Sequence, residues 1–468
     1  MNRPEHAIEQ YHNVYFVGIG GIGMSALARY FKYRGLQVCG YDLTPSEITE
    51  ALQHEGISVT FSEKVTELDL HTLLPSNTLV VYTPAVPQQH EQLTYFRNND
   101  YRVCKRAEAL GLITAPSTPL CVAGTHGKTT TSTMLAHFLC HTEENVQSSA
   151  FLGGVSNNYG TNFLYTDQSD YVVIEADEFD RSFHYLSPQM AIITSTDPDH
   201  LDIYGDHATY LKAFEYFASL IRPQGVLLSK QGLPLHPHLR EGVVHLTYGD
   251  NEEADVYYDN VRIADGKLFF DWHFPARELH LHNLLLGVPV RINVENTTAA
   301  MAIALLCGVT PDILRSAVAS FAGSHRRFEQ VLSSDRYQLI DDYAHHPSEL
   351  EASISSICEL YSGQEILGIF QPHLYSRTAD FYKEFAHSLS RLNHVVVLDI
   401  YPAREEPIPG VTSQLIFDLI TSPDKHLLRK EELLPFLKNY PVPPVVLMLG
   451  AGNIDRLVKP VRDLLQSK

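Results

Sequence analysis

The sequence predicts an α/β protein of three domains, and three observations predict it. At 468 residues the chain exceeds what a single hydrophobic core supports. Short apolar runs that end in glycine or an acidic residue alternate with helical stretches along its length, the pattern of parallel strands covered by helices on both faces. Two glycine-rich turns, "VGIGGIGMS" and "AGTHGKTTT", each close such a run and open a helix. The domains are expected over residues 1–113 (Rossmann-like), 114–323 (phosphate-loop type with a small side sheet) and 324–468 (Rossmann-like again).

In the first domain "VYFVGIG", "LQVCGYD" and "TLVVYTPAV" read as strands, and "MSALARYFKYRG" as the helix after the first turn. "GLITAPSTP", residues 111–119, carries two prolines and small polar residues and reads as a linker. In the second domain "YVVIEAD" (171–177) and "MAIITSTD" (190–197) read as buried parallel strands, and ligands sit where the carboxyl ends of such strands emerge. "ADVYYDNVRIADGKLFFDWHF" (254–274) reads as antiparallel hairpins, the small side sheet. Beyond "FAGSHRRFEQV" the runs in "YQLIDDYAHHPSEL", "EILGIFQPH", "HVVVLDIYPA" and "PVVLMLGAGNI" supply the strand ends of the third domain.

With 35 Lys and Arg against 55 Asp and Glu the formal charge is −20, which argues against nucleic acid as a partner, because a backbone-binding surface wants excess positive charge. The six cysteines are dispersed, without the paired spacing of a zinc site or disulfide framework. "MNRPEHAIEQYHN" lacks the apolar core of a signal peptide, and no apolar run has the length of a membrane span. A cytoplasmic protein without membrane insertion is expected.

Gly18, Gly20, Gly21 and Gly23 give the tight turn and close backbone approach that a pyrophosphate at a helix amino terminus requires, and Asp42, ending the next strand, is placed to accept a ribose hydroxyl. On pattern alone a nicotinamide dinucleotide is the default ligand there. In the second loop Gly124, Thr125, Gly127, Lys128, Thr129 and Thr130 arrange backbone donors, an ammonium and hydroxyls around a polyphosphate, although Val122 stands where the full phosphate-loop pattern has glycine. Thr129 is available for magnesium, which also favours carboxylates beside substrate phosphates. Glu175, Asp177 and Glu178 follow one strand, and Asp197, Asp199, His200 and Asp202 another. A dehydrogenase would leave this second assembly without a purpose.

With "GTHGKTTT", "EADE", "DHLD", "NVENTTAA", "RRFE", "DDYAHHPSE" and "FQPHLYSRT" in this order, the chain resembles the Mur ligase family, the ATP-dependent amide-forming enzymes of peptidoglycan synthesis. The resemblance runs from "GIGGIGMS" to "GAGNI". It implies that the first domain holds the UDP part of a sugar nucleotide, the second holds ATP, and the third completes the ATP site and receives an amino acid. The implied reaction converts the lactyl carboxylate of UDP-N-acetylmuramate to an acyl phosphate, which the amine of L-alanine then attacks. Magnesium is the implied cofactor, and the "FQPHLYSRT" form favours alanine over a recycled tripeptide. A monomer or homodimer is expected.

Carried over to this sequence, the resemblance implies catalytic roles for Lys128, Glu175, His200, His345 and Arg377, and magnesium contacts for Thr129, Glu175 and His200. ATP would be held by Gly124, Thr125, His126, Gly127, Lys128, Thr129, Thr130, Asn293, Asn296, Arg326 and Asp342. The UDP-sugar would lie on Gly18, Gly20, Gly21, Gly23 and Asp42, and the amino acid on Tyr343, His345 and Arg377. Two departures stand out. Leu374 occupies a position where the family often has arginine, and Phe214, with Lys212 out of register, occupies the position of a lysine that several members carbamylate, so no carbamate is expected.

Overall fold

The structure, a computed structural model, describes residues 8, 10–141, 146–199, 201–264, 266–403 and 405–468, with the backbone alone at 201 and 202. Strands β1 (Asn13–Val17), β2 (Gln37–Tyr41), β3 (Ser58–Thr60), β4 (Thr78–Tyr82) and β5 (Arg102–Lys105) form a sheet of order β3-β2-β1-β4-β5, every neighbouring pair parallel. β1 is buried throughout, because strand side chains alternate between two covered faces. Val14 and Phe16 pack with Leu27 and Phe31 on one side, while Tyr15 and Val17 pack with Leu93 and Phe96 on the other.

The second sheet has ten strands. These are β6 (Thr118–Ala123), β7 (Ser149–Ser156), β8 (Thr161–Leu164), β9 (Tyr171–Glu175), β10 (Met190–Ile193), β11 (Val226–Lys230), β12 (Val244–Gly249), β13 (Val256–Ala264), β14 (Lys267–Phe274) and β15 (Leu279–Leu286), in the order β15-β14-β13-β12-β11-β10-β6-β9-β7-β8. β6 lies between β9 and β10 and is parallel to both, so the loop after β6 emerges between their carboxyl ends. The strands read at 254–274 as a side sheet are present as β13 and β14, which with β15 make one end of this larger sheet.

The third sheet comprises β16 (Glu329–Ser333), β17 (Gln338–Asp342), β18 (Ile366–Phe370), β19 (His394–Leu398), β20 (Asp424–Leu428) and β21 (Val445–Leu449), in the order β16-β17-β21-β18-β19-β20. It is parallel except for β16, which runs antiparallel to β17. The three-domain α/β architecture expected from the alternating pattern is therefore the architecture observed.

Two compact units emerge from this arrangement. One comprises Met1–Asp259, Trp272–Leu281 and Asn296–Val318, the other Asn260–Asp271, His282–Glu295 and Ala319–Lys468. In the first unit the five-stranded sheet and the central sheet share one core. Helix Ile22–Tyr33 lies between them, which is why its buried residues (Met24, Ser25, Ala26, Leu27, Ala28 and Phe31) run most of the way round it. Tyr30 meets Phe151 at 5.7 Å between ring centroids and Phe163 edge-on at 6.1 Å. Asn162 on β8 donates to Ile22 O at 2.6 Å and accepts from Arg29 Nη1.

The expected linker at 111–119 is shorter and tighter than its composition implies. Helix Arg106–Thr114 takes its first four residues and β6 begins at Thr118. A methyl group on Gly111 would come within 2.3 Å of Tyr185 O, so this helix is pressed onto the central domain. Arg222 donates to Ser117 O at 2.8 Å and Ala115 O at 2.7 Å, pinning the turn between.

Candidate active site

The first loop follows β1 where the strand order reverses between β1 and β4, the usual ligand position in an open parallel sheet. Gly18 has φ +91°, and a methyl group there would lie 2.6 Å from Thr83 Cγ2 after β4, so both conformation and space require glycine. Gly20 N donates to Asp42 Oδ2 at 2.7 Å, and Asp42 Oδ1 accepts from Leu43 N at 2.8 Å. Asp42 thus holds the loop in shape. Gly21 caps the helix Ile22–Tyr33, whose first turn carries no acidic side chain, leaving an amino end suited to an anion. Gly23 is small for another reason, since a methyl group on it would reach 2.8 Å from Arg106 Nη1.

The second loop joins β6 to helix Lys128–Cys140. Gly124 (φ +139°) would place a methyl group 2.0 Å from Thr194 Oγ1, and Gly127 (φ +81°), the residue before the helix, would place one 2.8 Å from Asn296 Oδ1. The end of β10 staples the loop: Thr194 Oγ1 donates to His126 O at 2.5 Å, Ser195 Oγ accepts from His126 N at 2.8 Å, and Thr125 Oγ1 donates to Asp197 O at 2.8 Å. Thr130 is half-buried in the first turn of the helix.

The acidic strand end of β9 divides its work among three carboxylates. Glu175 Oε1 accepts from Thr129 Oγ1 at 3.1 Å and Glu175 Oε2 from Gly153 N at 3.0 Å. Glu178, 1% exposed, meets Lys128 Nζ at 2.8 Å, and the same ammonium donates to Gly124 O at 2.5 Å. Burial alone would lower the pKa of Lys128, but the carboxylates of Glu178, Glu175 and Asp177 raise it on balance, so the ammonium stays charged. Burial raises the pKa of Glu178. Asp177 pairs with Arg106 at 2.9 Å instead of facing the loop. His200 lies outside the described residues.

The second unit carries the remaining candidates. Asp342, at the carboxyl end of β17, accepts from Ala344 N at 3.3 Å, and burial raises its pKa to about 6. His345 Nδ1 lies 3.0 Å from Tyr343 O and 3.2 Å from Glu349 Oε2, and its ring meets that of His373 at 5.8 Å. Burial lowers the pKa of His345, and lowers that of His373 to about 4, with Arg377 acting in the same direction on both. Glu349 Oε2 accepts from His345 N and His346 N, so the second histidine sits at the start of helix Pro347–Leu360. Arg377 is half-buried in the first turn of helix Tyr375–Leu389. Leu374, the residue before that helix, is held at φ +70° with its N–H on Tyr401 O at 2.9 Å.

Arg326 is buried within its own unit. It donates to Asp341 Oδ2 at 3.1 Å and Gly450 O at 2.5 Å, and its guanidinium lies 5.2 Å from the Tyr343 ring centroid. Arg327, less buried, covers the same ring at 5.1 Å. Asn293 donates to Val288 O at 3.4 Å. Phe214 is fully buried among Phe183, Tyr210 and Phe217, whereas Lys212 is exposed.

Three family models match the chain: the Mur ligase family catalytic domain over residues 13–118, the Mur ligase middle domain over 122–304, and the Mur ligase glutamate ligase domain over 326–452. A UDP-N-acetylmuramate–L-alanine ligase of Porphyromonas gingivalis strain W83 is 60% identical over 455 residues, covering 97% of this chain and 99% of its own length. Another bearing that name, from Parabacteroides distasonis, is 56% identical over 452 residues, 97% of each chain. The chain belongs to the Mur ligase family. The crystal structure of UDP-N-acetylmuramate-alanine ligase MurC from Thermotoga maritima superposes with a TM-score of 0.81 at 27% identity, over 97% of this chain and 100% of that one. A murein peptide ligase from Psychrobacter arcticus, 19% identical with a TM-score of 0.67, shares the fold.

For a Mur ligase the second loop offers what phosphoryl transfer needs: fixed backbone donors, one buried ammonium, and two hard oxygens, Thr129 Oγ1 and Glu175 Oε1, close enough to share a divalent ion. That oxygen pair fits magnesium. The partners of these residues were harder to read from sequence. Glu178 as the counter-ion of Lys128, Asn296 against Gly127, and Arg106 against Gly23 are long-range contacts with no local pattern.

Proposed function

We propose that this chain joins L-alanine to the lactyl carboxylate of UDP-N-acetylmuramate at the expense of ATP, giving UDP-N-acetylmuramoyl-L-alanine, ADP and phosphate. The observation that carries the reading is 60% identity across 97% of the chain to a ligase named for that reaction. The first loop takes the pyrophosphate of the sugar nucleotide, and the second takes ATP. Lys128 neutralises charge on the phosphoryl group as it passes to the lactyl carboxylate, a reaction in which positioning and electrostatics dominate. Thr129 and Glu175, with His200, would hold magnesium, which when bound supplies further charge neutralisation.

The amine of alanine then attacks the acyl phosphate, and the tetrahedral intermediate collapses to amide and phosphate. Arg377 is the group proposed to pair with the alanine carboxylate. His345, kept neutral by burial, is the group beside it with a nitrogen to exchange a proton. Among the described residues no helix is long and apolar enough to cross a membrane, in keeping with a cytoplasmic enzyme.

The test is ATP turnover with each amino acid in turn, with and without UDP-N-acetylmuramate. Phosphate release that requires both the sugar nucleotide and L-alanine is expected. Release without the sugar nucleotide, or release supported by a tripeptide in place of alanine, would overturn the reading.

A further inference from the structure

We propose that Arg106 is a positioning residue through which sugar nucleotide on the first loop tightens the binding of ATP on the second. The proposal rests on the assignment of the first loop to the sugar nucleotide. Arg106 opens the helix Arg106–Thr114 directly after β5, and its guanidinium reaches two places. Nη1 faces Gly23 in the first turn of helix Ile22–Tyr33, where a methyl group would approach it to 2.8 Å. Nη2 meets Asp177 Oδ2 at 2.9 Å. A guanidinium has five N–H donors in a fixed fork, so it can hold this carboxylate and an oxygen of an arriving anion together.

Asp177 is well placed to pass that constraint on. It precedes Glu178, the buried counter-ion of Lys128, and it fixes the following turn by accepting from Phe179 N at 3.0 Å and from Phe183 N, through its carbonyl, at 2.9 Å. That turn is strained: Asp180 and Arg181 have φ of +51° and +54°, values that side chains disfavour. It is held by Lys105 on Asp180 at 2.7 Å, by Arg181 over the Tyr204 ring at 4.9 Å, and by Tyr204 OH on Glu178 O at 2.5 Å. Arg106 and Lys105 thus tie the first domain to the segment that carries Glu175 and Glu178. Pyrophosphate at Gly20–Gly23 draws the fork into one position, which fixes Asp177 and orders the backbone that presents Glu178 to Lys128. ATP then meets a loop already arranged, and by linkage the effect is reciprocal.

The experiment measures the dissociation constant of a non-hydrolysable ATP analogue by calorimetry, with and without saturating UDP-N-acetylmuramate, in the full chain with magnesium. In the unaltered protein the sugar nucleotide is expected to tighten the analogue roughly tenfold. Arg106→Gln and Asp177→Asn should each bring that ratio close to one, and the double variant should lose no more than either single change, because both remove the same link. Arg106→Lys keeps the charge without the fork and should retain part of the ratio. Should Arg106→Gln fail to fold, Asp177→Asn breaks the pair from the other side and carries the test.

A ratio unchanged in the variants, with sugar-nucleotide affinity alone reduced, would make Arg106 a ligand contact and overturn the proposal. So would the absence of any ratio in the unaltered protein. Failure of UDP-N-acetylmuramate to bind the unaltered protein at all would instead overturn the assignment of the first loop.

Discussion

Lys128 and Glu178 form a pair in which each partner answers for the other's burial. Removing the ammonium leaves a carboxylate that is 1% exposed, and its raised pKa lets it take up a proton instead of standing charged and alone. Lys128→Ala is therefore expected to abolish ligation while the protein stays folded and binds UDP-N-acetylmuramate as before; near-normal turnover at saturating ATP would contradict this. His373 offers a different handle. Its pKa is lowered by burial, with His345 and Arg377 adding to the effect, from the usual 6.5 to about 4. Between those values the unfolded chain binds the proton and the folded protein does not, so this ring's contribution to stability falls as pH drops through that window and is constant above it. The difference in unfolding free energy between the unaltered protein and His373→Gln should grow as pH rises from 4 to 6.5 and then level off. A flat difference in urea titrations across that range would refute it.

The loops and strand ends explain how much of this could be read in advance. Buried parallel strands announce themselves as apolar runs, so β1, β6, β9 and β10 stood where "VYFVG", "PLCVA", "YVVIE" and "MAII" occur. The glycines were recognisable too, but their protein neighbours were not: Gly20 is packed against Asp42 and Thr49, and Gly23 against Arg106. No local pattern encodes the left-handed backbone of Arg326 or Leu374, because surrounding structure imposes it. For the first loop the expected outcome is that Gly20→Val weakens UDP-N-acetylmuramate with little change in ATP affinity. Its branch would start within 2.9 Å of Asp42 Oδ2 and unseat the carboxylate that shapes the turn. Equal weakening of both ligands, with ATP measured in the absence of the sugar nucleotide, would show that the substitution disturbs more than the first loop. For helix Tyr375–Leu389, Arg377→Ala should raise the apparent KM for alanine tenfold or more, about the effect of leaving a carboxylate unpaired. Unchanged alanine saturation would place the amino acid elsewhere.

The composition of "GLITAPSTP" suits a flexible joint between the first two domains, yet the structure builds a single body there. Phe151 and Phe163 of the central sheet belong to the same buried cluster as Phe16, Leu27 and Phe31 of the first domain, and Arg29, Arg106 and Lys105 cross between them. A first domain detached from this partner would expose Tyr30 and Phe31, and the central sheet would expose β7 and β8, so separating the two carries the full loss of that apolar contact. Residues 1–113 and the central sheet are accordingly expected to unfold in one transition. Phe151→Ala should lower that transition as a whole, by about 3 kcal/mol for a buried aromatic truncated to a methyl, without splitting off an earlier one. Scanning calorimetry combined with limited proteolysis checks both parts. The bonds at 115–117, pinned by Arg222, should resist cleavage until that transition begins. Native-state cleavage there that releases a folded N-terminal fragment, or a first-domain transition well below that of the central domain, would show that the shared core does not couple them.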